Sequence, residues 1–598
     1  CVPRQSLASR AKQCSHAAKV MIYVTTKMGC RGQQQASFRF SGSYGVSTPV
    51  NNNFDLMDGY DLLAWQTYFG EISQSTADNY RALLDRFGAT DWFRYIYRTA
   101  PTYSAEFSVN GGSEKVGYYV SGSYMNQEGM APNSGMERYT FRTNLSAEAT
   151  SWLRINMNLA ASVNATQTTQ SSSSNGVLNL TSVTNFPIYM PTYMTRQYIN
   201  EEGNPENYLL FPNQLIDPYY VMEKAPATYH NHLLNGNISL VITPIEGLTI
   251  TSMNGIDGTY STYDATNLPS HLYTGGIGAR SRAFNQQYTL TTSNTVEYKF
   301  KPIKEMHNIT LLVGQEGIDY YSDMFQAVTQ GQVDDRLYLL SQGTQTDMTM
   351  VTEGNGSYNM LSFFGRVNYE YGRKYAFDVT IRNDASSKFG RDNRDAFFYA
   401  VGGMWNLKEE NFLFNNRVLT DLRLRVTYGT QGNSDIGNYA SLALISGGYN
   451  YGDVPGFAYS SIGNPNLGWE RQGLFNASLE IGLFNWLSVS ATYYHRTSSS
   501  MLYNVPYPPS CGFTARTENA LAMVNQGVDL DITATLFHNR DWDITFNTVF
   551  GYNDNKITKL YSGIDNLSDP NALSYYEIGK SAWGFYMPVF MGFDPRDG

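Results

Sequence analysis

Residues 361–381 read LSFFGRVNYEYGRKYAFDVTI. Leu361, Phe363, Gly365, Val367, Tyr369 and Tyr371 stand at every second position, and a tight Gly372-Arg373-Lys374 turn follows them. Tyr375, Phe377, Val379 and Ile381 then resume the alternation. Successive Cβ atoms of a strand point to opposite faces, so this spacing predicts a hairpin with one continuous apolar face. The intervening positions form the other face, and Arg366 and Arg382 fall on it.

The same period of two runs outward in both directions. Toward the start it covers Phe38 to Val46, Phe107 and Val109, Val116 to Tyr124, and Tyr139 to Leu145. It continues through Leu153 to Ala161, Leu234 to Ile242, Leu248 and Ile250, Tyr288 to Phe300, and Ile309 to Val313. Toward the end it covers Phe397 to Trp405, Leu422 to Tyr428, Phe475 to Ile481, Leu487 to Tyr493, Val528 to Ala534 and Trp542 to Tyr552. The count is roughly seventeen strands of about 9–11 residues, the length of a tilted strand that crosses a membrane.

Connections alternate as well. Gaps near 111–115, 148–152, 243–247, 301–306, 372–374, 484–486 and 536–541 are short. Those near 47–102, 126–138, 165–232, 258–282, 318–358, 383–396, 430–468 and 498–524 are longer. Tight turns at one end and long loops at the other describe an outer-membrane barrel, with the loops outside. The expected fold is therefore all-β, a transmembrane antiparallel β-barrel. An odd number of antiparallel strands does not close a barrel in the usual way, so further strands are expected beyond residue 598.

Composition agrees. Charged residues make up only 16% and aromatics 14%, with 46 Tyr and 52 Gly. Yet the sequence contains no uninterrupted apolar run of transmembrane-helix length, and its mean hydropathy is −0.36. A wall with one face in lipid and one in water has such an average. The net charge of −10 and the lack of a basic cluster argue against nucleic acid as a partner. Three of the four cysteines, Cys1, Cys14 and Cys30, crowd the start, and with Cys511 they form no disulfide framework or metal spacing. Residues 1–19 lack the features of a signal peptide.

Nothing reads as catalysis. Glu201-Glu202 and Glu409-Glu410 are sequence neighbours that would point to opposite faces of an extended chain, whereas glycosidic hydrolysis needs two carboxylates facing one bond. His230 and His232 lack a metal-binding pattern, and no metal or other cofactor is expected. The run Gly275-Gly-Ile-Gly278 does not lie between a strand and a helix, as a phosphate cradle would.

Several segments resemble one family. Asn110-Gly-Gly-Ser-Glu-Lys-Val-Gly-Tyr-Tyr119, Asn126-Gln-Glu-Gly129 and Ser134-Gly-Met-Glu-Arg-Tyr139 resemble the first barrel hairpins of SusC-type (RagA-like) TonB-dependent transporters of Bacteroidetes. Phe364-Gly-Arg-Val-Asn-Tyr369, Asp384-Ala-Ser-Ser-Lys-Phe-Gly390 and Trp405 resemble the mid-barrel. So do Leu424-Arg-Val-Thr-Tyr-Gly429, Gly432-Asn433, Asn464-Pro-Asn-Leu-Gly-Trp-Glu470 and Asn525-Gln-Gly-Val528. Val20-Met-Ile-Tyr-Val-Thr-Thr-Lys-Met-Gly29 resembles the last strand of the family's plug. The resemblance implies a plug end over 20–30 and an incomplete barrel over 31–598, part of roughly 22 strands. Residues 1–19 do not match the plug's usual end and are expected to be an atypical start, whether frameshifted, misassembled or truncated.

The resemblance further implies import of oligosaccharides or peptides across the outer membrane. A SusD-like lipoprotein would be the lid, and the TonB-ExbB-ExbD complex the energy source, through a TonB box not present in these residues. A siderophore or cobalamin receptor of the same fold, and a surface glycan-binding adhesin without transport, are the competing readings.

Site residues follow from phase and position. Arg39, Arg142, Arg154, Arg366, Arg382, Arg423 and Arg425 occupy the polar phase of their strands and are expected to face the lumen. Tyr219, Tyr220, Tyr449, Tyr451, Tyr459 and Trp469 lie in expected outer loops, where flat rings stack on sugar faces. Trp92, Trp152, Trp405, Trp486 and Trp542 are expected in girdles at the membrane interfaces.

Overall fold

A computed structural model describes residues 35–50, 56–131, 133–169, 190–194, 224–271, 276–301 and 306–561, with short pieces between 197 and 216 and after 563. Seventeen strands form one antiparallel sheet. In chain order they are β1 (Ser37–Ser47), β2 (Ala100–Gly112), β3 (Val116–Glu128), β4 (Gly135–Glu148) and β5 (Leu153–Thr169). Four two- or three-residue strands follow as two small pairs: β6 (Gln197–Ile199), β7 (Pro205–Asn207), β8 (Leu210–Phe211) and β9 (Leu215–Ile216).

The wall resumes with β10 (Pro226–Ile242), β11 (Leu248–Asn267), β12 (Gly278–Lys299), β13 (His307–Gln332), β14 (Gln345–Tyr371), β15 (Tyr375–Ser386), β16 (Asp395–Asn406) and β17 (Leu419–Asn433). A hairpin, β18 (Leu444–Tyr451) and β19 (Val454–Ser461), stands apart. The wall ends with β20 (Glu470–Leu483), β21 (Leu487–Pro506), β22 (Ala515–His538) and β23 (Asp543–Lys559), followed by a short pair, β24 (Asn566–Asp569) and β25 (Ser574–Glu577). Each wall strand pairs with the next, β5 with β10 and β17 with β20. Among the described residues β1 and β23 each pair on one side, leaving the sheet open between them.

Register shows why the pattern folds this way. In the 361–381 hairpin, Phe363 lies opposite Asn383, Val367 opposite Val379 and Tyr371 opposite Tyr375. One face carries the exposed Leu361, Phe363 and Val367, and the other the buried Ser362, Phe364 and Arg366. Phe363 and Phe377 are 56% and 55% exposed. Such exposure would be costly in water and is favourable in hydrocarbon. Among the described residues no helix is long and apolar enough to cross a membrane.

The structure corrects two expectations. Residues 318–358 are mostly strand: β13 continues to Gln332 and β14 begins at Gln345, with Val328 opposite Met350. Beyond the lipid both faces of a hairpin meet water, so the hydrophobic alternation fades while backbone pairing continues. The loop over 48–99 holds three helices: α1 (Gly59–Tyr68), α2 (Gln74–Phe87) and α3 (Trp92–Ile96).

Asp58, Ser73 and Asp91 cap the three helices, each side chain accepting from backbone N–H groups of the first turn. Leu63, Leu84, Trp92 and Ile96 form their core with Met190, Tyr193 and Met194 from the long β5–β10 connection. Trp92, expected at a membrane interface, is therefore 2% exposed inside this core, and its indole donates to Pro191 O at 3.0 Å. Trp152, Trp405, Trp486 and Trp542 are exposed at the short-turn end.

Candidate functional site

Alternation puts the arginines on the polar face, and strand register supplies carboxylates beside them. Arg366 pairs with Asp378 on the neighbouring strand. Arg382, 4% exposed, donates from Nε to Asp384 at 2.7 Å and from Nη2 to Glu316 at 2.8 Å, with its guanidinium 5.2 Å from the Phe364 ring. A buried guanidinium is retained when several acceptors replace its water, and this one has carboxylates from two strands. Lower on the face, Arg423 binds Asp421 and Glu480, and Arg425 lies 3.5 Å from Glu480. Arg154 lies 3.3 Å from Glu148, while Arg39 and Arg142 are exposed.

Sequence reasoning missed the carboxylates Glu316, Asp378, Asp384, Asp421 and Glu480. The available signal was their phase: Asp378 and Asp384 share the polar face of β15 with Arg382.

At the long-loop end three motifs converge. Gly390 N donates to Leu467 O at 3.1 Å, and the Trp469 indole donates to Arg394 O at 2.7 Å. Phe389 and Phe398 pack on Trp469 with ring centroids 5.0 and 5.8 Å away. A side chain at Gly432 would collide with the rings of Phe398 and Trp469, so only glycine fits beneath them. Asn519 ties the same segment down, accepting from Gly468 N at 2.9 Å and donating to Gly468 O at 2.8 Å. Asp384–Gly390, Gly432-Asn433 and Asn464–Glu470, separate in sequence, thus build one brace.

This brace changes the reading of Trp469. At 4% exposed it packs the core, and it is no open stacking platform. Tyr449, Tyr451 and Tyr459 lie on the hairpin β18–β19, which projects from the braced segment and exposes all three, Tyr451 at 91%. The hairpin separates them. Tyr449 is opposite Gly456 and Tyr451 opposite Val454, whereas Tyr459 is opposite Ile445 beyond a bulge, which puts it on the other face. Tyr219 and Tyr220 lie outside the described residues, as do Glu201-Glu202 and the segment 20–30.

At the short-turn end, Glu410 accepts from the Tyr375 hydroxyl at 2.6 Å, Lys374 Nζ at 2.9 Å and the Trp405 indole at 3.2 Å. These donors, the Tyr375 hydroxyl first, hold its carboxyl below the usual carboxylate range. Glu410 thereby fastens the segment 407–418 to the β14–β15 turn. Its sequence neighbour Glu409 takes no part in that cluster. Among the described residues no group of three or more His, Cys, Asp or Glu is placed to hold a metal ion.

With this geometry in view, likeness to known proteins is informative. Residues 191–578 match the family described as "TonB dependent receptor-like, beta-barrel". The chain is 28% identical to TonB-dependent receptor SusC of Bacteroides thetaiotaomicron, over 92% of this chain and 56% of the relative. It is also 28% identical to TonB-dependent receptor P3 of Formosa agariphila, over 93% of this chain and 54% of the relative. The chain spans about half the length of the curated relatives it matches. Among solved structures, it is similar to a chain of the RagAB peptide transporter, with a TM-score of 0.85 and 32% identity, covering 95% of this chain and 66% of that one. The relatives are receptors and transporters, not enzymes. Two-faced wall, alternating turns and matched sequence agree: this chain belongs to the TonB-dependent receptor family of outer-membrane β-barrels, and its SusC-type motifs accompany likeness to SusC and RagAB.

Proposed function

We propose that the chain is wall and outer mouth of an importer that brings oligosaccharides or peptides through the outer membrane beneath a SusD-like lipoprotein lid, driven by TonB-ExbB-ExbD. The observation that carries this reading is the polar face, where Arg366, Arg382, Arg423 and Arg425 each have carboxylate neighbours. That face lines the lumen, and the opposite, apolar face meets lipid. A wall of paired charges stays hydrated and holds many hydrogen-bonding groups without the single-sign field that would select an ion. Likeness to a chain of a peptide transporter supports the peptide class, and likeness to SusC supports TonB-dependent uptake. Exposed Tyr449, Tyr451 and Tyr459 contact ligand or lid at the mouth, residues 20–30 supply the last plug strand, and 31–598 form an incomplete barrel with long extracellular loops.

The test uses the full-length protein in its own membrane. Labelled oligosaccharides and peptides are offered to cells with and without TonB, and the protein is purified in mild detergent. TonB-dependent accumulation of one class and co-purification of a lipoprotein are expected. Uptake unaffected by loss of TonB, or a barrel that purifies alone, overturns the proposal.

A further inference from the structure

The connection from β16 to β17 is unlike the tight turns around it. It runs over residues 407–418 at the short-turn end, where 113–115, 372–374 and 484–486 are three-residue turns. It carries Phe412, 72% exposed, Phe414, 61% exposed, and Val418, 47% exposed. A loop in water ordinarily turns polar side chains outward. This one turns its polar groups on one another instead. Lys408 Nζ donates to Leu413 O at 3.0 Å, Phe414 O at 3.2 Å and Asn416 O at 2.7 Å, so the three N–H groups of the ammonium all serve the loop's own carbonyls. Leu413 N and Phe414 N donate to Glu410 O at 2.9 and 2.8 Å. Asn416 Oδ1 accepts from Val418 N at 2.9 Å and Leu419 N at 3.0 Å. Backbone groups satisfied from within are what a segment needs where water is scarce.

Glu410 fixes the side of the sheet on which this loop lies. Tyr375 and Trp405 stand opposite each other, in phase with the exposed Phe377, Val379 and Val401 of the apolar face. Glu410 accepts from the Tyr375 hydroxyl at 2.6 Å and from the Trp405 indole at 3.2 Å. The loop is therefore clasped to the apolar face rather than folded beneath the polar one. At its far end Val418 O accepts from Phe484 N at 2.8 Å, in a turn where the exposed rings of Phe484 and Trp486 stack with centroids 6.3 Å apart. The loop thus bridges two aromatic groups at the level where indoles and phenols mark the edge of a lipid belt.

We propose that residues 407–418 form a foot, held by Glu410, that rests in the headgroup layer of the periplasmic phospholipid leaflet. Phe412 and Phe414 enter the upper acyl chains and set the depth of this part of the wall. Three features favour lipid over a protein partner. The aromatic groups that the loop bridges belong to a face turned toward lipid, and short turns mark the periplasmic end of an outer-membrane barrel. Phenylalanine has no polar tip, so its ring suits hydrocarbon better than a wet interface. Arg417 in the loop and Arg373 in the turn that it clasps are exposed, placed to meet lipid phosphates. The proposal rests on the reading of the apolar face as lipid-facing.

The experiment keeps the two readings apart. The full-length protein, with its native cysteines changed to serine, is placed in vesicles of phosphatidylethanolamine and phosphatidylglycerol that contain lipid brominated at shallow or deep acyl positions. Val401→Cys, Phe412→Cys and Phe414→Cys each carry an environment-sensitive fluorophore, with Tyr451→Cys at the outer mouth as the unquenched reference. Val401→Cys should be quenched, and its failure to be quenched removes the lipid-facing reading and this proposal together. Phe412→Cys and Phe414→Cys should be quenched roughly threefold more by shallow than by deep bromines, as a foot at the interface requires. Adding Glu410→Ala should lower quenching at Phe412→Cys about twofold and leave Val401→Cys unchanged. In cells, a photoreactive benzoylphenylalanine in place of Phe412 should cross-link phospholipid. With Val401→Cys quenched, three results each overturn the foot alone: no quenching at Phe412→Cys and Phe414→Cys, quenching that survives Glu410→Ala, or a cross-link to a second copy or another protein and none to lipid. The single-cysteine arm decides should the Glu410 variant fail to fold.

Discussion

The wall and the helical insert solve the same packing problem in opposite directions. In the wall around Val401, Val426 and Phe363, large apolar side chains stand exposed on one face of the sheet and charged ones occupy the other. In the insert of α1, α2 and α3, Trp92, Leu84 and Ile96 turn inward, while Arg94 and Asp91 remain exposed. The difference is solvent. Lipid covers the apolar face of the wall, so burial there needs no second layer, whereas the insert stands in water and must cover its own core. A wall of two solvents has a period of two; an insert in one solvent relies on caps and a small core.

The largest effect that separates the two regions is expected at Trp92. Trp92→Ala empties the centre of the insert and removes the bond to Pro191, costing that unit about 3–5 kcal/mol. The wall should assemble regardless. Protease cutting within 59–96, with heat-modifiable gel mobility unchanged, is the expected pair of results; loss of the folded gel band would mean that the insert is needed for the sheet.

The converse change is in the wall. Val426 lies opposite Gly403 and Ala477 on the apolar face, and Val426→Arg should cost roughly 2–4 kcal/mol at mid-depth and abolish assembly. Arg425→Ala, one residue away on the polar face, should assemble, since Arg423 still meets Glu480. Equal gel mobility of the two variants would reverse the assignment of faces.

The smallest effect is a titration. Burial in the insert pushes the Tyr193 phenol up to about 12 from 10.0, and its hydroxyl donates to Gln66 at 2.9 Å. The folded insert binds this proton more tightly than the unfolded chain does. Its contribution is therefore whole below pH 10.0 and is lost as pH rises toward about 12. Hydrogen exchange in α1 and α2 should quicken over that window, and Tyr193→Phe should remove the part that depends on pH. An unchanged profile in Tyr193→Phe would place the alkaline transition elsewhere.

Much of the wall was legible because a strand reports its two environments residue by residue. Phe363, Val367 and Ile381 on one phase, against Arg366 and Arg382 on the other, place both faces without any contact being known. The helices were less legible. Asp58, Ser73 and Asp91 are ordinary cap residues, yet α3 has only five residues, and its core is completed by Met190 and Tyr193 from a distant segment. Trp92 and Trp469 look like any tryptophan near a strand end, and only their neighbours show that both are buried. The carboxylates around Arg382 were missed for the same reason: Glu316 is 66 residues away and meets it because β13, β14 and β15 lie side by side.

What the sequence determined by itself was alternation: the fold class, the strand number, the alternation of tight turns and long connections, and the polar phase that carries the arginines. These are local properties, set by where each Cβ points along an extended chain. Tertiary structure alone decided which distant residues meet. It joined three motifs into the brace around Trp469 and surrounded Arg382 with carboxylates from two strands. The physical reason is register: hydrogen-bonded pairing aligns residues tens of positions apart, and no period within one strand records that alignment.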